Sequence, residues 1–230
     1  MPEPTVVAIL GPTASGKSAL ALALAERHHG EIVSCDSTTV YRGFDIGTDK
    51  IAPADRRGIP HHLIDIVEPA DEYSAAQYGR DAAGAIREIQ ARGHLPIVVG
   101  GTGFYYRALT RGLFPGPGRD PGMRSRLESI ASRRDVAFLH RMLERVDSES
   151  ARRIQPRDLK RIVRALEVFF LTGRPLTHHF ADTSSPIGEM EVIAFALRLP
   201  PEQTSLRVTR RVDEQFRRGL LDEVYSSFES

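Results

Sequence analysis

The sequence predicts an α/β fold in which helices flank a parallel β-sheet and a helical insertion domain interrupts the sheet domain. Three observations support this fold class. Apolar strand-like stretches alternate with helical patterns, a glycine-rich loop follows the first strand, and a proline- and glycine-rich stretch precedes an arginine-rich helical region. The 230 residues, 41% hydrophobic and 27% charged, have the composition of a globular protein with one large domain or two small ones.

Continuous apolar stretches predict the strands. Residues 5–10, 31–35 and 95–99 are largely apolar and β-branched, which is typical of parallel strands buried on both faces. Residues 62–67 fit this pattern less well. Residues 191–197 predict a later strand that rejoins the same sheet.

Helical patterns fill most of the remaining sequence. Residues 18–27 are rich in Ala and Leu, and residues 74–92 place apolar side chains on one face. Arginine-rich helices are predicted within residues 121–172. Two more are predicted at residues 201–218 and from Leu220 onward.

The change of pattern after residue 112 predicts two domains. A breaker stretch, residues 113–118, precedes the arginine-rich helices. We therefore predict a core of residues 1–112 and about 190–230, and a basic helical insertion of about 113–189.

Composition excludes several classes of protein. A single cysteine excludes an internal disulfide framework and a zinc site built from a Cys cluster. No apolar stretch reaches the roughly 18 residues of a membrane helix, and the N-terminus lacks the features of a secretory signal. We therefore expect a cytoplasmic protein with no membrane partner, and a monomer.

The charge is unevenly distributed. Between Arg111 and Phe180 there are 15 basic and 8 acidic residues, a net charge of +7, against a net charge of +1 for the whole chain. A segment of this charge suits a polyanion, although arginines on a solvated helical surface would give the same count.

The glycine-rich loop has the sequence GPTASGKS and matches G-x-x-x-x-G-K-[ST] in full. Because it follows a predicted strand and opens a predicted helix, it indicates a P-loop NTPase-like fold and a phosphate or diphosphate site. The motif alone does not specify a kinase. Its residues are Gly11, Pro12, Thr13, Ala14, Ser15, Gly16, Lys17 and Ser18, of which Ser18 could ligate Mg²⁺.

Asp36 directly follows the second predicted strand. In a parallel sheet this position borders the ligand crevice, so Asp36 should lie near the phosphate loop. It could act as a general base, lie in the outer shell of a metal, or only cap a turn. The pairs His61–His62 and His178–His179 lack further ligands at suitable spacing, and we interpret them as loop residues.

These motifs combine with longer blocks into a specific pattern. The blocks include DSTTVYRGFDIGT at 36–48, LPIVVGGTGFY at 95–105, RALEV at 164–168 and RVTRRVDEQFRRGLLDEV at 207–224. Together with GPTASGKS they resemble the tRNA dimethylallyltransferase family, also called tRNA isopentenyltransferases, over nearly the whole chain.

The resemblance implies transfer of a dimethylallyl group from dimethylallyl diphosphate to N6 of adenosine 37 in tRNAs that read codons beginning with U. The phosphate loop and Arg211 would hold the diphosphate, with Mg²⁺ at Ser18. Lys17 would stabilise the leaving group, and Asp36 would accept a proton from N6. Lys17 and Asp36 are thus the predicted catalytic residues.

The resemblance also implies that the helical insertion grips the anticodon arm of tRNA. The implied tRNA-binding residues are Asp36, Ser37, Thr38, Thr39, Thr102, Arg124, Lys160, Arg161, Ile162, Val163 and Arg164. For Arg124 and Lys160 the alternative is solvated helix charge. For Arg161 or Arg164 it is also an internal ion pair with Glu167.

The sequence departs from the family pattern in two ways. Many members have Gln where this chain has Thr39, and the family usually continues for tens of residues beyond Leu220. Three alternatives stay open at this point: an adenylate isopentenyltransferase that uses free adenine nucleotides, a P-loop small-molecule kinase, and a tRNA-binding module without activity.

Overall fold

The structure, a computed structural model, describes residues 5–114 and 116–229, with side chains up to residue 227. The N-terminal residues 1–4 and Pro115 of the predicted breaker stretch lie outside the described residues. The chain divides into two compact units. Unit 1 comprises the residues up to Gly112 and those from Ser185 onward, and unit 2 comprises Leu113–Ser184.

Unit 1 is built on a parallel five-stranded sheet with strand order β3-β2-β4-β1-β5. Its strands are β1 (Thr5–Leu10), β2 (Gly30–Ser34), β3 (His61–His62), β4 (Leu95–Gly100) and β5 (Glu191–Ala196). The helices are α1 (Lys17–His28), α2 (Ala75–Ala91), α3 (Gly103–Arg111), α9 (Pro201–Arg217) and α10 (Leu220–Glu229), with a short 3-10 helix at Pro53–Arg56. The predicted P-loop NTPase-like parallel sheet with flanking helices is confirmed.

The central strands carry the core of unit 1. Ile9 on β1 and Ile97 on β4 are fully buried and pack with Leu22 of α1. The later strand β5 pairs in parallel with β1 from Thr5↔Glu191 to Leu10↔Ala196, so it rejoins the sheet as the sequence predicted. It forms an edge, and five of its six residues are exposed.

All regular secondary structure of unit 2 is helical in the described residues. Its helices are α4 (Pro121–Arg134), α5 (Val136–Val146), α6 (Ser148–Arg153), α7 (Leu159–Thr172) and α8 (Leu176–Ala181). The first four each begin after an aspartate whose side chain accepts a backbone N–H three residues on, which satisfies one free donor of the first turn. Leu139, Leu143 and Leu166 lie at the centre of their shared core.

Several elements differ from the prediction. The weak strand at 62–67 is reduced to β3, because Leu63 and Asp65 have φ angles of 61° and 57°, which extended strands do not adopt. His61 and His62 are therefore strand residues, not loop residues, and His178 and His179 belong to α8. The sequence analysis did not predict α3 or α8. No helix in the described part of the chain is long and apolar enough to cross a membrane.

Candidate active site

A cavity of about 680 Å³ lies in unit 1 at the carboxyl ends of the central strands. Its walls are the phosphate loop after β1, Asp36 after β2, Gly100 at the end of β4, residues 47–51, and one face of α9. Parallel strands place the loops after their carboxyl ends at one edge, so distant parts of the sequence meet there.

The phosphate loop has the conformation its glycines predict. Gly16 precedes α1 with φ 93°, a left-handed conformation that residues with a Cβ rarely adopt. Lys17 begins the helix, and its Nζ donates to the carbonyl of Pro12 at 2.6 Å. Ser15 Oγ is buried and has no hydrogen-bond partner among the described residues. A loop with a free buried hydroxyl at a helix N-terminus is suited to bind an anion.

The charged groups of the cavity affect one another. Burial lowers the pKa of Lys17 below its usual value; the Asp36 carboxylate opposes this shift, and the Arg211 guanidinium adds to it. Lys17, Asp36 and Arg211 all line the cavity, although they come from opposite ends of the sequence. The structure therefore brings together the residues predicted to hold a diphosphate and the predicted base.

Asp36 forms the tight turn that follows β2. Its Oδ1 accepts hydrogen bonds from the backbone N–H of Thr38 at 2.9 Å and from Thr38 Oγ1 at 2.7 Å. Asp36 thus caps the turn, which was one of its predicted alternatives. Both of these bonds use one oxygen, and Oδ2 accepts no hydrogen bond from the described residues.

The other residues of this turn differ in their exposure to the cavity. Thr38 and Thr39 line it. Thr39 is buried and its Oγ1 lies 2.9 Å from Ser34 Oγ, so its hydroxyl is engaged within the protein. The backbone N–H of Ser37 donates instead to Thr102 Oγ1 at 3.0 Å. Thr102 therefore stabilises the turn at Asp36 through a hydrogen bond to its backbone.

Residues 47–51 and α9 form one wall of the cavity, and of its residues the sequence analysis assigned only Arg211 to the site. Arg211 Nε lies 3.3 Å from Asp49 Oδ2, and Arg218 lies 3.6 Å from the other oxygen of the same carboxylate. Arg207, also on α9, reaches the phosphate loop and donates to the carbonyl of Ala14 at 3.3 Å. In the sequence, the signal for residues 47–51 was the end of the block DSTTVYRGFDIGT, which supported the resemblance but had no assigned role.

Lys50 belongs to the same wall, but its side chain is paired with carboxylates of the protein. It is buried, and its Nζ lies 2.8 Å from Asp45 Oδ1 and 2.6 Å from Asp65 Oδ1. Because both carboxylates neutralise it, Lys50 holds the segment together and is less available to a ligand than Lys17.

The family model for IPP transferase matches residues 39–230. The chain belongs to the IPP transferase family. It is 49% identical to a tRNA dimethylallyltransferase of Solibacter usitatus over 95% of this chain and 71% of that protein. It is 51% identical to one of Halorhodospira halophila, again over 95% of this chain and 71% of the relative.

Solved structures of the family have the same fold. The full-length tRNA isopentenylpyrophosphate transferase of Bacillus halodurans is 36% identical, with a TM-score of 0.66 over 99% of this chain and 71% of that one. A eukaryotic dimethylallyltransferase acting on tRNA is 30% identical, with a TM-score of 0.82 over 98% of this chain and 56% of the other.

In this IPP transferase, two of the predicted tRNA-binding arginines have internal partners. Glu167 on α7 is fully buried. It accepts from Arg124 Nε at 2.8 Å and Nη2 at 3.0 Å, and from Arg164 Nη1 at 2.7 Å. Arg164 also donates to the carbonyl of Pro117 at 3.0 Å. The structure therefore contains the internal ion pair between Arg164 and Glu167 that was the alternative to tRNA binding.

The Glu167 carboxylate is stabilised strongly. Burial by itself would raise the pKa of Glu167, but hydrogen bonds from Arg124, Arg164 and the backbone N–H of Asp120 lower the pKa to about 2. The same pairing raises the pKa of Arg124. This buried network joins α7 to the start of α4.

The remaining residues of the predicted tRNA block fall into two groups. Ile162 and Val163 are 0% and 2% exposed, so we correct the expectation that their side chains contact tRNA: they are core residues of unit 2. Lys160 and Arg161 are exposed. Arg161 has a single ion pair, 3.4 Å to the aspartate that caps α7, and its side chain is 73% exposed. Lys160 and Arg161 are thus the two cations of the block whose side chains are exposed to solvent.

Proposed function

We propose that this chain transfers a dimethylallyl group from dimethylallyl diphosphate to N6 of adenosine 37 in tRNAs that read codons beginning with U. The observation that carries the proposal is the cavity that joins the phosphate loop, Arg211 and the Asp36 carboxylate, in a chain whose relatives are named tRNA dimethylallyltransferases. The residue assignments below belong to the proposal.

The phosphate loop and Arg211 act on the leaving group. The allylic C–O bond of the donor breaks, so negative charge increases on the diphosphate as the reaction proceeds. Residues 13–18 and Arg211 line the cavity. In this proposal the free backbone N–H groups of the loop, the Lys17 ammonium and the Arg211 guanidinium stabilise this charge. Ser15 Oγ supplies a further donor, since it has no partner in the described part of the chain.

The cavity suits a Mg²⁺ ion that the diphosphate itself brings. The Ser18 hydroxyl and the Asp36 carboxylate are hard oxygen ligands that line the same space. The described residues contain no group of three or more His, Cys, Asp or Glu that could hold a metal. We therefore assign Mg²⁺ to Ser18 and the diphosphate. When bound, it would neutralise part of the diphosphate charge.

Asp36 acts on the acceptor. The lone pair of adenine N6 is delocalised into the ring, which makes the amine a weak nucleophile. N6 forms a bond to the allyl carbon as the C–O bond breaks, and its proton passes to Asp36 Oδ2. Oδ1 keeps its hydrogen bonds to Thr38, which hold the carboxylate in a fixed orientation.

The tRNA must bring its base out of the stacked anticodon loop to enter such a cavity. Lys160 and Arg161, exposed at the start of α7, are suited to phosphate contacts. Arg124 and Arg164 instead contribute indirectly, because their pairing with Glu167 fixes the helices on which those contacts depend.

The proposal is tested by supplying labelled dimethylallyl diphosphate and Mg²⁺ with tRNA, with AMP, or with neither. Label in tRNA alone supports it. Label in AMP would favour an adenylate isopentenyltransferase. In a parallel assay with labelled ATP, transfer of its γ-phosphoryl group to a small-molecule acceptor would favour a kinase.

Lys17→Ala should abolish turnover in the same assay. Removing a group that stabilises developing negative charge typically costs ~2.7–4 kcal/mol of transition-state stabilisation. Arg27→Ala, which removes an exposed cation of α1 that does not line the cavity, serves as the control. Turnover by Lys17→Ala at the wild-type rate would remove the diphosphate assignment.

A further inference from the structure

Glu223 on α10 makes an unusual contact with the wall of the cavity. Its Oε2 accepts from the backbone N–H groups of Asp45 and Ile46, each at 2.7 Å, and its Oε1 accepts from the N–H of Gly47 at 2.8 Å. One carboxylate thus satisfies three successive backbone donors, and charge-assisted hydrogen bonds of this kind are among the stronger ones in proteins.

The contact depends on close packing. A Cβ placed at Gly47 would lie 3.3 Å from Glu223 Oε1 and 3.2 Å from Leu220 Cδ1. A side chain there would press on both of these side chains, so the lack of a Cβ at Gly47 leaves room for the contact. Gly47 itself lines the cavity. The Glu223 carboxylate therefore binds the backbone of residues 45–47 immediately beside the proposed diphosphate site.

A second helix holds the same segment. Gln215 on α9 is buried, and its Nε2 donates to the carbonyl of Ile46 at 2.9 Å and to that of Gly47 at 3.1 Å. Glu223 binds the N–H groups and Gln215 the carbonyl groups, so the backbone at Ile46 and Gly47 is fixed by two side chains.

The segment leads directly to the partners of Arg211. Arg211 Nη2 donates to the carbonyl of Thr48 at 3.4 Å, and Arg211 Nε lies 3.3 Å from Asp49 Oδ2. The position of the Arg211 guanidinium in the cavity therefore depends on the backbone that Glu223 fixes.

We propose that Glu223 is a positioning residue of the diphosphate site, which holds residues 45–49 so that Arg211 faces the ligand. The inference rests on the proposed function in that it takes the ligand to be a diphosphate. It assigns Glu223 no contact with that ligand.

Inorganic pyrophosphate with Mg²⁺ is the probe, and its affinity is measured by calorimetry. Glu223→Gln keeps the shape of the side chain but turns an NH₂ group toward backbone donors, and we expect pyrophosphate to bind about tenfold more weakly. Asp222→Asn removes the same charge from an exposed neighbour on the same turn and should leave the affinity within about twofold. Hydrogen exchange of the peptide that contains residues 44–50 should become faster in Glu223→Gln only.

A double variant distinguishes positioning from a general loss of stability. If Glu223 acts through Arg211, then Glu223→Gln should cause no further loss of pyrophosphate affinity in an Arg211→Ala background. Equal losses in both backgrounds, or unchanged affinity in the single variant, would overturn the inference.

If Glu223→Gln does not fold, Glu223→Asp is used instead, because it keeps the charge but withdraws it by one methylene. Its pyrophosphate affinity is then compared with that of wild type and, in the Arg211→Ala background, with that of Arg211→Ala alone. Failure of the wild type to prenylate tRNA while these results hold would count against the proposed function and leave the role of Glu223 intact.

Discussion

At the scale of single residues, the proposed function gives Asp36 two tasks that use different oxygens. Oδ1 shapes the turn through Thr38, and Oδ2 is free to accept a proton. Asp36→Asn keeps the size of the side chain and its amide oxygen can still accept from Thr38. It should therefore lose the base while keeping the turn.

We expect the single-turnover rate of Asp36→Asn to fall by about 10²–10⁴, the usual contribution of a general base. Affinities for donor and tRNA should stay within a few-fold of wild type. Thr38→Val, which removes one hydrogen bond to Oδ1 and keeps the carboxylate, should have a much smaller effect on the rate. A collapse of donor affinity in Mg²⁺ would show that Asp36 is chiefly a metal ligand, and no change at all would leave it as a turn cap.

At the scale of helices, α7 carries one cation in a buried ion pair and two cations on its exposed surface. Arg164 faces the buried Glu167, whereas Lys160 and Arg161 face solvent. Lys160 and Arg164 lie four residues apart on the helix, yet Lys160 is exposed and Arg164 is paired with Glu167.

Replacing Lys160 and Arg161 with Ala should therefore weaken tRNA binding and flatten its salt dependence. Each lost phosphate contact lowers the slope of log K against log salt by roughly 0.7–0.9. Arg164→Ala should instead lower the melting temperature, since it leaves a buried carboxylate with one partner fewer. An unchanged salt slope in the double variant would mean that these two cations do not contact phosphate.

Two buried glutamates make the fold sensitive to acid. Glu31 in unit 1 accepts from Arg92, His62 and His94, and the Arg92 hydrogen bond is the main cause that lowers its pKa to about 2. The pKa of Glu167 in unit 2 is also about 2. Both pKa values lie below the usual 4.5, so the stabilisation is complete above about pH 4.5 and is lost as the pH falls toward 2.

Denaturant unfolding at several pH values should show this loss between pH 4.5 and 2. Glu31→Gln and Glu167→Gln should each be less stable at neutral pH, by about 3–5 kcal/mol for a broken buried ion pair. Each variant should also have a shallower acid dependence than wild type. A wild-type stability that is flat across this range would contradict the assignment of these carboxylates.

At the scale of the whole molecule, the sequence predicted the sheet better than the site. Apolar stretches located β1, β2, β4 and β5 to within one residue, because burial on both faces leaves a strong local signal. The short β3 was overextended, since nothing in its composition revealed the left-handed residues Leu63 and Asp65.

The phosphate loop could be read from sequence because its function depends on local backbone geometry. The partners of Arg124 and Arg164 could not, because a charged residue in an amphipathic helix has the same pattern whether it faces solvent or a buried Glu167. The contact between Glu223 and Gly47 joins residues 176 positions apart. Only the folded chain shows it.

The central claim, that the cavity prenylates one adenine of tRNA, is tested most directly by mass spectrometry of the nucleosides of a tRNA incubated with the protein, dimethylallyl diphosphate and Mg²⁺. The account predicts N6-(dimethylallyl)adenosine at position 37 in a tRNA that reads a codon beginning with U, and no product when that adenosine is replaced by guanosine. Modification of the guanosine variant, or of free AMP in preference to tRNA, would contradict it.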